Sequence, residues 1–249
     1  APDQVMLIAF TNQTAREMRE RLRLLRDEPE DMLLGTFHHV ANVLVGGGRT
    51  VLEGHQQRET LETLGRAQDA ASADLKVRLR DRMDAAMRAY GLARAEGGDN
   101  YARFVPPDHA AEVLDLLRAY DEEKARSNVI DFDDLMVDLL RAVRSGWNHA
   151  RAVLVDEYQD LNPVQLDIVR GLQAGGARVF AVGDDAQAIY GFRGATVRGM
   201  HEFGLTFPAA RVMHLERNYR SSTEVVALSR SVMEQSPFKK RMRAVRPAS

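Results

Sequence analysis

The chain has 249 residues, 45% hydrophobic and 28% charged, with a formal net charge of −2. That is an ordinary globular composition, long enough for one large domain or two small ones. Cysteine is absent, which excludes a disulfide framework and thiolate metal sites. No apolar run approaches the roughly 18 residues of a membrane span. Ala1-Pro-Asp-Gln has no signal-like core, so a cytoplasmic protein without a membrane partner is expected.

The even charge balance hides two basic clusters. Arg16, Arg19, Arg21, Arg23 and Arg26 crowd one early segment, and Lys239, Lys240, Arg241, Arg243 and Arg246 crowd the C-terminus. Either could meet phosphates. On charge alone, a solvated helix face and a disordered tail are the favoured reading.

In chain order, Val5-Met-Leu-Ile-Ala-Phe10 predicts a buried strand, and Thr14 to Arg26 a helix. Leu33 to Phe37 reads as a second short strand, followed by helix through Leu44 and a break at Gly46-Gly-Gly48. From about Thr50 to Val143 strand-like runs disappear. Leu75, Leu79, Met83 and Met87 recur at helical spacing, as do Val113, Leu116, Leu117 and Tyr120. Gly97 to Asn100 and Pro106-Pro107 mark loops between helices. Strand signals return at Val153–Val155, Val179–Val182 and Val212–Leu215. Helices are expected at Pro163–Leu172, with Asn162 as cap, and at Ser222–Glu234, capped by Ser222 or Thr223. Strand, acidic turn and helix on both sides of a helical span predict an α/β fold with a largely parallel sheet and an inserted all-helical subdomain.

Three loops carry candidate chemistry. Asp156 and Glu157 directly follow the run Ala152–Val155, where an open α/β sheet places its ligand crevice. One carboxylate there can hold Mg²⁺ and its neighbour can activate a water. An acidic pair can equally do no more than favour the start of a helix. The segment Gly183-Asp-Asp-Ala-Gln-Ala-Ile-Tyr-Gly-Phe-Arg-Gly194 brings Gln187, able to bond a phosphate or water, close to Tyr190 and Phe192, which could stack on bases or simply pack. Arg220, in Glu216-Arg-Asn-Tyr-Arg-Ser221, could face a transferring phosphoryl group or a nearby acid.

Taken together and in order, these segments resemble superfamily 1 DNA helicases of the UvrD/Rep/PcrA type. Ala9-Phe-Thr-Asn-Gln-Thr-Ala15 looks like motif Ia and Gly35-Thr-Phe-His38 like motif Ib. Val155-Asp-Glu-Tyr-Gln-Asp160 looks like motif II, the Walker B box. Val182 to Ala195 looks like motif III and Leu215 to Ser221 like motif IV. Asp131-Phe-Asp-Asp-Leu135 is similar to the family segment that leads into motif II.

The resemblance implies a RecA-like, P-loop NTPase type subdomain from 1–45 and 147–249, incomplete at its N-terminus, with a helical insert over 46–146. It implies ATP and Mg²⁺ as cofactors and single-stranded DNA and ss/dsDNA junctions as partners, with DNA repair as a setting. Asp156 would bind Mg²⁺ and Glu157 would activate the attacking water. Gln187 and Arg220 would contact the γ-phosphate, Tyr219 would stack on adenine, and Arg193 would sit near the nucleotide–DNA coupling region. Phe10, Thr11, Asn12, Thr36, His38, Tyr190 and Phe192 would lie along DNA.

The family's phosphate cradle, Gly-x-x-x-x-Gly-Lys-Ser/Thr, occurs nowhere in these residues. In the family its strand lies beside the motif III strand. Here a gap, an exposed edge or a rearranged sheet is expected. The second RecA-like domain would follow Ser249. The chain alone is therefore expected to be an inactive fragment of a helicase. A helicase part of a RecB/AddA-like helicase–nuclease and a catalytically dead DNA- or partner-binding module are the alternatives.

Overall fold

The computed structural model describes residues 4–25, 32–72, 75, 77–147, 149–189, 198–234 and 241–246. Its centre is a four-stranded parallel sheet in the order β2-β1-β5-β6, from β1 (Val5–Ile8), β2 (Leu33–Gly35), β5 (Ala152–Val155) and β6 (Arg178–Ala181). Three of these are the short apolar runs expected of buried parallel strands. β2 ends at Gly35, earlier than the sequence suggests, because Phe37 already opens a helix.

One face of the sheet carries Met6, Ile8, Val153 and Val155. They join a single buried cluster with α2 (Phe37–Val45), α6 (Phe132–Arg144) and α7 (Pro163–Ala174). Two of these helices are held by reciprocal caps. Asn162 accepts from the Gln165 N–H at 3.0 Å while Gln165 returns a bond to the Asn162 N–H at 3.1 Å. Asp131 and Asp134 do the same at the start of α6, at 2.9 and 3.1 Å.

The opposite face is covered unevenly. Register aligns Leu34, Leu7, Leu154 and Phe180 in one row across the four strands. Helix α1 (Asn12–Leu25) covers the Leu34 end through Ala15, Met18 and Leu22. At the other end Phe180 is 63% exposed. Among the described residues no strand pairs with the outer side of β6. Of the three outcomes expected for this sheet, an exposed edge is the one seen among the described residues.

A second buried cluster is helical. α3 (Gly54–Ala71), α4 (Leu79–Ala95) and α5 (Ala110–Ser127) bury Leu61, Met83, Tyr90, Val113, Leu116, Leu117 and Tyr120. Each fully buried Leu is worth about 1.5–3 kcal/mol. Gly65 lets α3 and α4 approach closely, since a Cβ there would lie 2.3 Å from Leu79 Cδ1. Leu75 lies outside α4, so only part of the expected stripe is helical.

The span from Thr50 to Val143 also contains strands that its composition conceals. β3 (Thr50–Leu52) pairs in parallel with β4 (Val129–Asp131). The expected strand at Val212–Leu215 is absent. Those residues have no regular structure, and Val212, Met213 and Leu215 are exposed. An apolar run forms a strand only where another strand pairs with it. The nearby pair is instead β7 (Arg217–Asn218) with β8 (Arg243–Ala244). Ser222 precedes α10 (Thr223–Met233) but makes no side-chain cap bond. Two short helices, α8 (Arg198–His201) and α9 (Phe203–Thr206), complete the α-helices among the described residues. No helix among the described residues is long and apolar enough to cross a membrane.

Candidate functional site at the carboxyl edge of the sheet

All four central strands are parallel, so the segments that follow them leave from one edge. Phe10, Thr11 and Asn12 follow β1, and Thr36 and His38 follow β2. Asp156 and Glu157 follow β5, and Asp184 and Gln187 follow β6. Backbone bonds extend the sheet into these segments. The Ala9 N–H donates to Gly35, Asp156 to Ile8, Tyr158 to Val182 and Val182 to Val155, each at 2.9 Å. Residues scattered through the sequence thus lie along one edge of the sheet, the edge where open α/β sheets bind ligands.

Asp156 and Glu157 turn sharply out of β5. Glu157 has φ +50° and ψ +47°, a left-handed conformation costly for a residue with a Cβ. Its carboxylate accepts a bond from Gln159 Nε2 at 2.8 Å. Burial first, and then the charge of Glu157, hold the Asp156 carboxyl above its ordinary range. The same two causes raise Asp160, whose Oδ1 is buried without a hydrogen-bond partner among the described residues. Tyr158, pushed up to about 12 by burial, packs edge-on against Phe203 at 5.2 Å.

This donor set suits a hard divalent cation, which would offset the crowding of carboxylates. No described group of three or more acids or histidines is arranged as a complete metal cage. Mg²⁺ needs none, because it takes one or two carboxylates and fills its remaining positions with water and substrate phosphate.

Gln187 ends a short turn after β6, and its Nε2 donates to Asp184 Oδ2 at 2.8 Å. Thr11 Oγ1 accepts from the Thr14 N–H at 3.0 Å, and Asn12 is the first residue of α1. Thr36 caps α2, accepting from the His39 N–H at 3.2 Å. The His38 ring stands edge-on to Phe132 at 5.3 Å, and burial lowers its pKa. Phe10 is half-buried.

Tyr219 and Arg220 follow β7, which belongs to a two-stranded sheet separate from the central one, and both are exposed. The guanidinium of Arg217 lies 5.8 Å from the centre of the Tyr219 ring. Tyr190, Phe192 and Arg193 fall outside the described residues.

The residue that sequence reasoning passed over is Gln159. It is 1% exposed and lies between the two acidic loops. Its only sequence signal is an amide inside an acidic run, and its partners become apparent only once β5 and β6 are in register.

The UvrD/REP helicase N-terminal domain family matches residues 1–208. The chain is 30% identical to DNA helicase II of Salmonella typhimurium, over 94% of this chain and 34% of that protein. It is 26% identical to the ATP-dependent DNA helicase srs2 of Schizosaccharomyces pombe, over 94% of this chain and 30% of that protein. It is 25% identical to the ATP-dependent DNA helicase PcrA of Staphylococcus aureus, over 96% and 35%. The chain thus spans about a third of the length of these curated relatives. With this family match covering most of its residues, the chain belongs to the UvrD/REP helicase N-terminal domain family.

Proposed function

We propose that the chain forms the first motor subdomain of an ATP-dependent DNA helicase or translocase acting on single-stranded DNA and ss/dsDNA junctions. The observation that carries this reading is the convergence of Phe10–Asn12, Thr36–His38, Asp156–Glu157 and Gln187 on one sheet edge. In this reading 1–45 and 147–249 make a RecA-like subdomain, and 46–146 is a largely helical insert. The buried cluster of α3, α4 and α5 supports the insert, while α6 packs with the sheet.

Asp156 would hold Mg²⁺, which when bound screens the phosphate charges of ATP. Glu157 takes the proton of a water whose oxygen bonds to the γ-phosphorus as the bond to the β-bridging oxygen breaks and ADP leaves. The resemblance assigns Gln187 and Arg220 to the γ-phosphate, Tyr219 to adenine and Arg193 to the nucleotide–DNA coupling region; Tyr219 and Arg220 would have to be brought there from the separate β7–β8 pair. Phe10, Thr11, Asn12, Thr36, His38, Tyr190 and Phe192 line the DNA. These residues include no Gly-x-x-x-x-Gly-Lys-Ser/Thr cradle, so the 249-residue chain alone turns over little or no ATP.

The test is DNA-stimulated ATP hydrolysis by a protein of the relatives' full length that carries this sequence. Glu157→Gln should lower it by about 10²–10⁴-fold, the usual worth of a general base, with single-strand binding retained. Hydrolysis unchanged by Glu157→Gln would overturn the reading. Appreciable turnover by the 249 residues alone would overturn the dependence on a cradle they lack.

A further inference from the structure

Glu157 and Gln187 leave from different strands, yet one run of hydrogen bonds joins them. Glu157 Oε2 accepts from Gln159 Nε2 at 2.8 Å. The other end of that amide, Gln159 Oε1, accepts from the Asp184 N–H at 2.9 Å. The Asp184 carboxylate then accepts from Gln187 Nε2 at 2.8 Å and from the Ala186 N–H at 3.0 Å.

The amide of Gln159 has one workable orientation. A carboxylate at one end requires a donor and a backbone N–H at the other requires an acceptor. Flipping the amide would break both of these bonds in a buried side chain, leaving polar atoms unpaired away from water. Gly183 makes room for it. A Cβ there would lie 2.7 Å from Gln159 Oε1, 3.2 Å from the Tyr158 backbone nitrogen and 3.2 Å from Met200 Sδ. Glu157 also has a left-handed backbone, a conformation that surrounding contacts must hold.

We propose that Gln159, seated by Gly183, is a positioning residue that locks the Glu157 carboxylate to the loop bearing Gln187, so that the two move as one unit. This rests on the reading of Glu157 as the residue that activates water. A shift of the loop after β6, transmitted through one rigid amide, would carry the base with it. Neither Gln159 nor Gly183 need touch the nucleotide.

The test uses the same full-length protein, measuring kcat and KM for ATP with single-stranded DNA, nucleotide affinity and thermal midpoint. Gln159→Leu removes the bonds to Glu157 and from Asp184, together with a longer one to Asp160 at 3.4 Å. Gln159→Glu keeps an acceptor for Asp184 but sets a second carboxylate against Glu157. Gly183→Ala leaves the amide intact and crowds its seat. Each should lower kcat by about 10–100-fold, the range for a lost supporting contact or a small misplacement. KM should stay within about threefold, since ground-state binding is untouched.

Gln187→Ala added to Gln159→Leu should cost less than the two effects combined, because both act through one unit. If Gln159→Leu does not fold, the other two single variants decide the matter. Unchanged kcat in them, or fully additive losses with Gln187→Ala in either background, overturns the proposal. Those results beside an inactive Glu157→Gln protein would leave the functional reading standing. Unimpaired hydrolysis by Glu157→Gln would overturn both.

Discussion

Lys124 Nζ lies 3.1 Å from Asp131 Oδ2, and both side chains are buried. The same ammonium reaches Asp134 at 2.6 Å and the Tyr90 hydroxyl at 2.5 Å, while Tyr120 also donates to Asp131 at 3.0 Å. Asp131 at once caps α6, ends β4 and anchors the helical cluster. Lys124→Met should therefore cost about 3–5 kcal/mol, because it leaves the buried Asp131 carboxylate without its cation. Urea unfolding of the 249-residue chain checks this, and a loss below about 1 kcal/mol would refute it.

Asp133 gives the chain a pH dependence. Burial foremost, then the charges of Asp131 and Asp134, push its carboxyl up to about 7, with Arg94 and Lys124 opposing. Between the ordinary value of 3.8 and about 7 the folded chain holds this proton and the unfolded chain does not. Stability from this group is complete below that window and is lost as pH rises through it. Asp133→Asn should raise the thermal midpoint at pH 8 and leave it nearly unchanged at pH 4. An equal shift at both values would remove Asp133 from the account.

Gly97 ends α4 with φ +78°, and its N–H donates to the Arg94 carbonyl at 2.8 Å. A Cβ there would lie 2.9 Å from Leu140 Cδ2 and 3.4 Å from Val164 Cγ2. Gly97→Ala should cost about 1–2 kcal/mol for the left-handed backbone, plus about 1–3 kcal/mol for overpacking against α6 and α7. A denaturation midpoint equal to that of the unmodified chain would show that the turn yields freely.

The sequence makes some of this legible and hides the rest for identifiable reasons. The strands at Val5, Ala152 and Val179 announce themselves, because buried parallel strands are short apolar runs. Helix α7 is equally plain, since Asn162-Pro163 supplies a cap and a first turn. The β3–β4 pair is hidden because each strand has three residues and its partner lies far along the chain. Val212–Leu215 misleads in the other direction, with the side chains of a strand and no neighbour to bond. At the site, Asp156 and Glu157 are visible as types of residue in a telling place. The tie through Gln159 depends on register, which only the assembled sheet supplies.

The row Leu34, Leu7, Leu154 and Phe180 passes from a covered end to an open one. In β6 the Arg178 and Val182 N–H groups bond to β5, so alternation turns those of Val179 and Ala181 toward the free edge. Amide protons of the 249-residue chain should therefore exchange with deuterium slowly in β1 and β5 and rapidly at Val179 and Ala181. Uniform protection across the sheet would contradict this. A gradient would mean that the loop bearing Gln187 hangs from the strand whose local opening costs least, so that it can shift while the central strands stay closed.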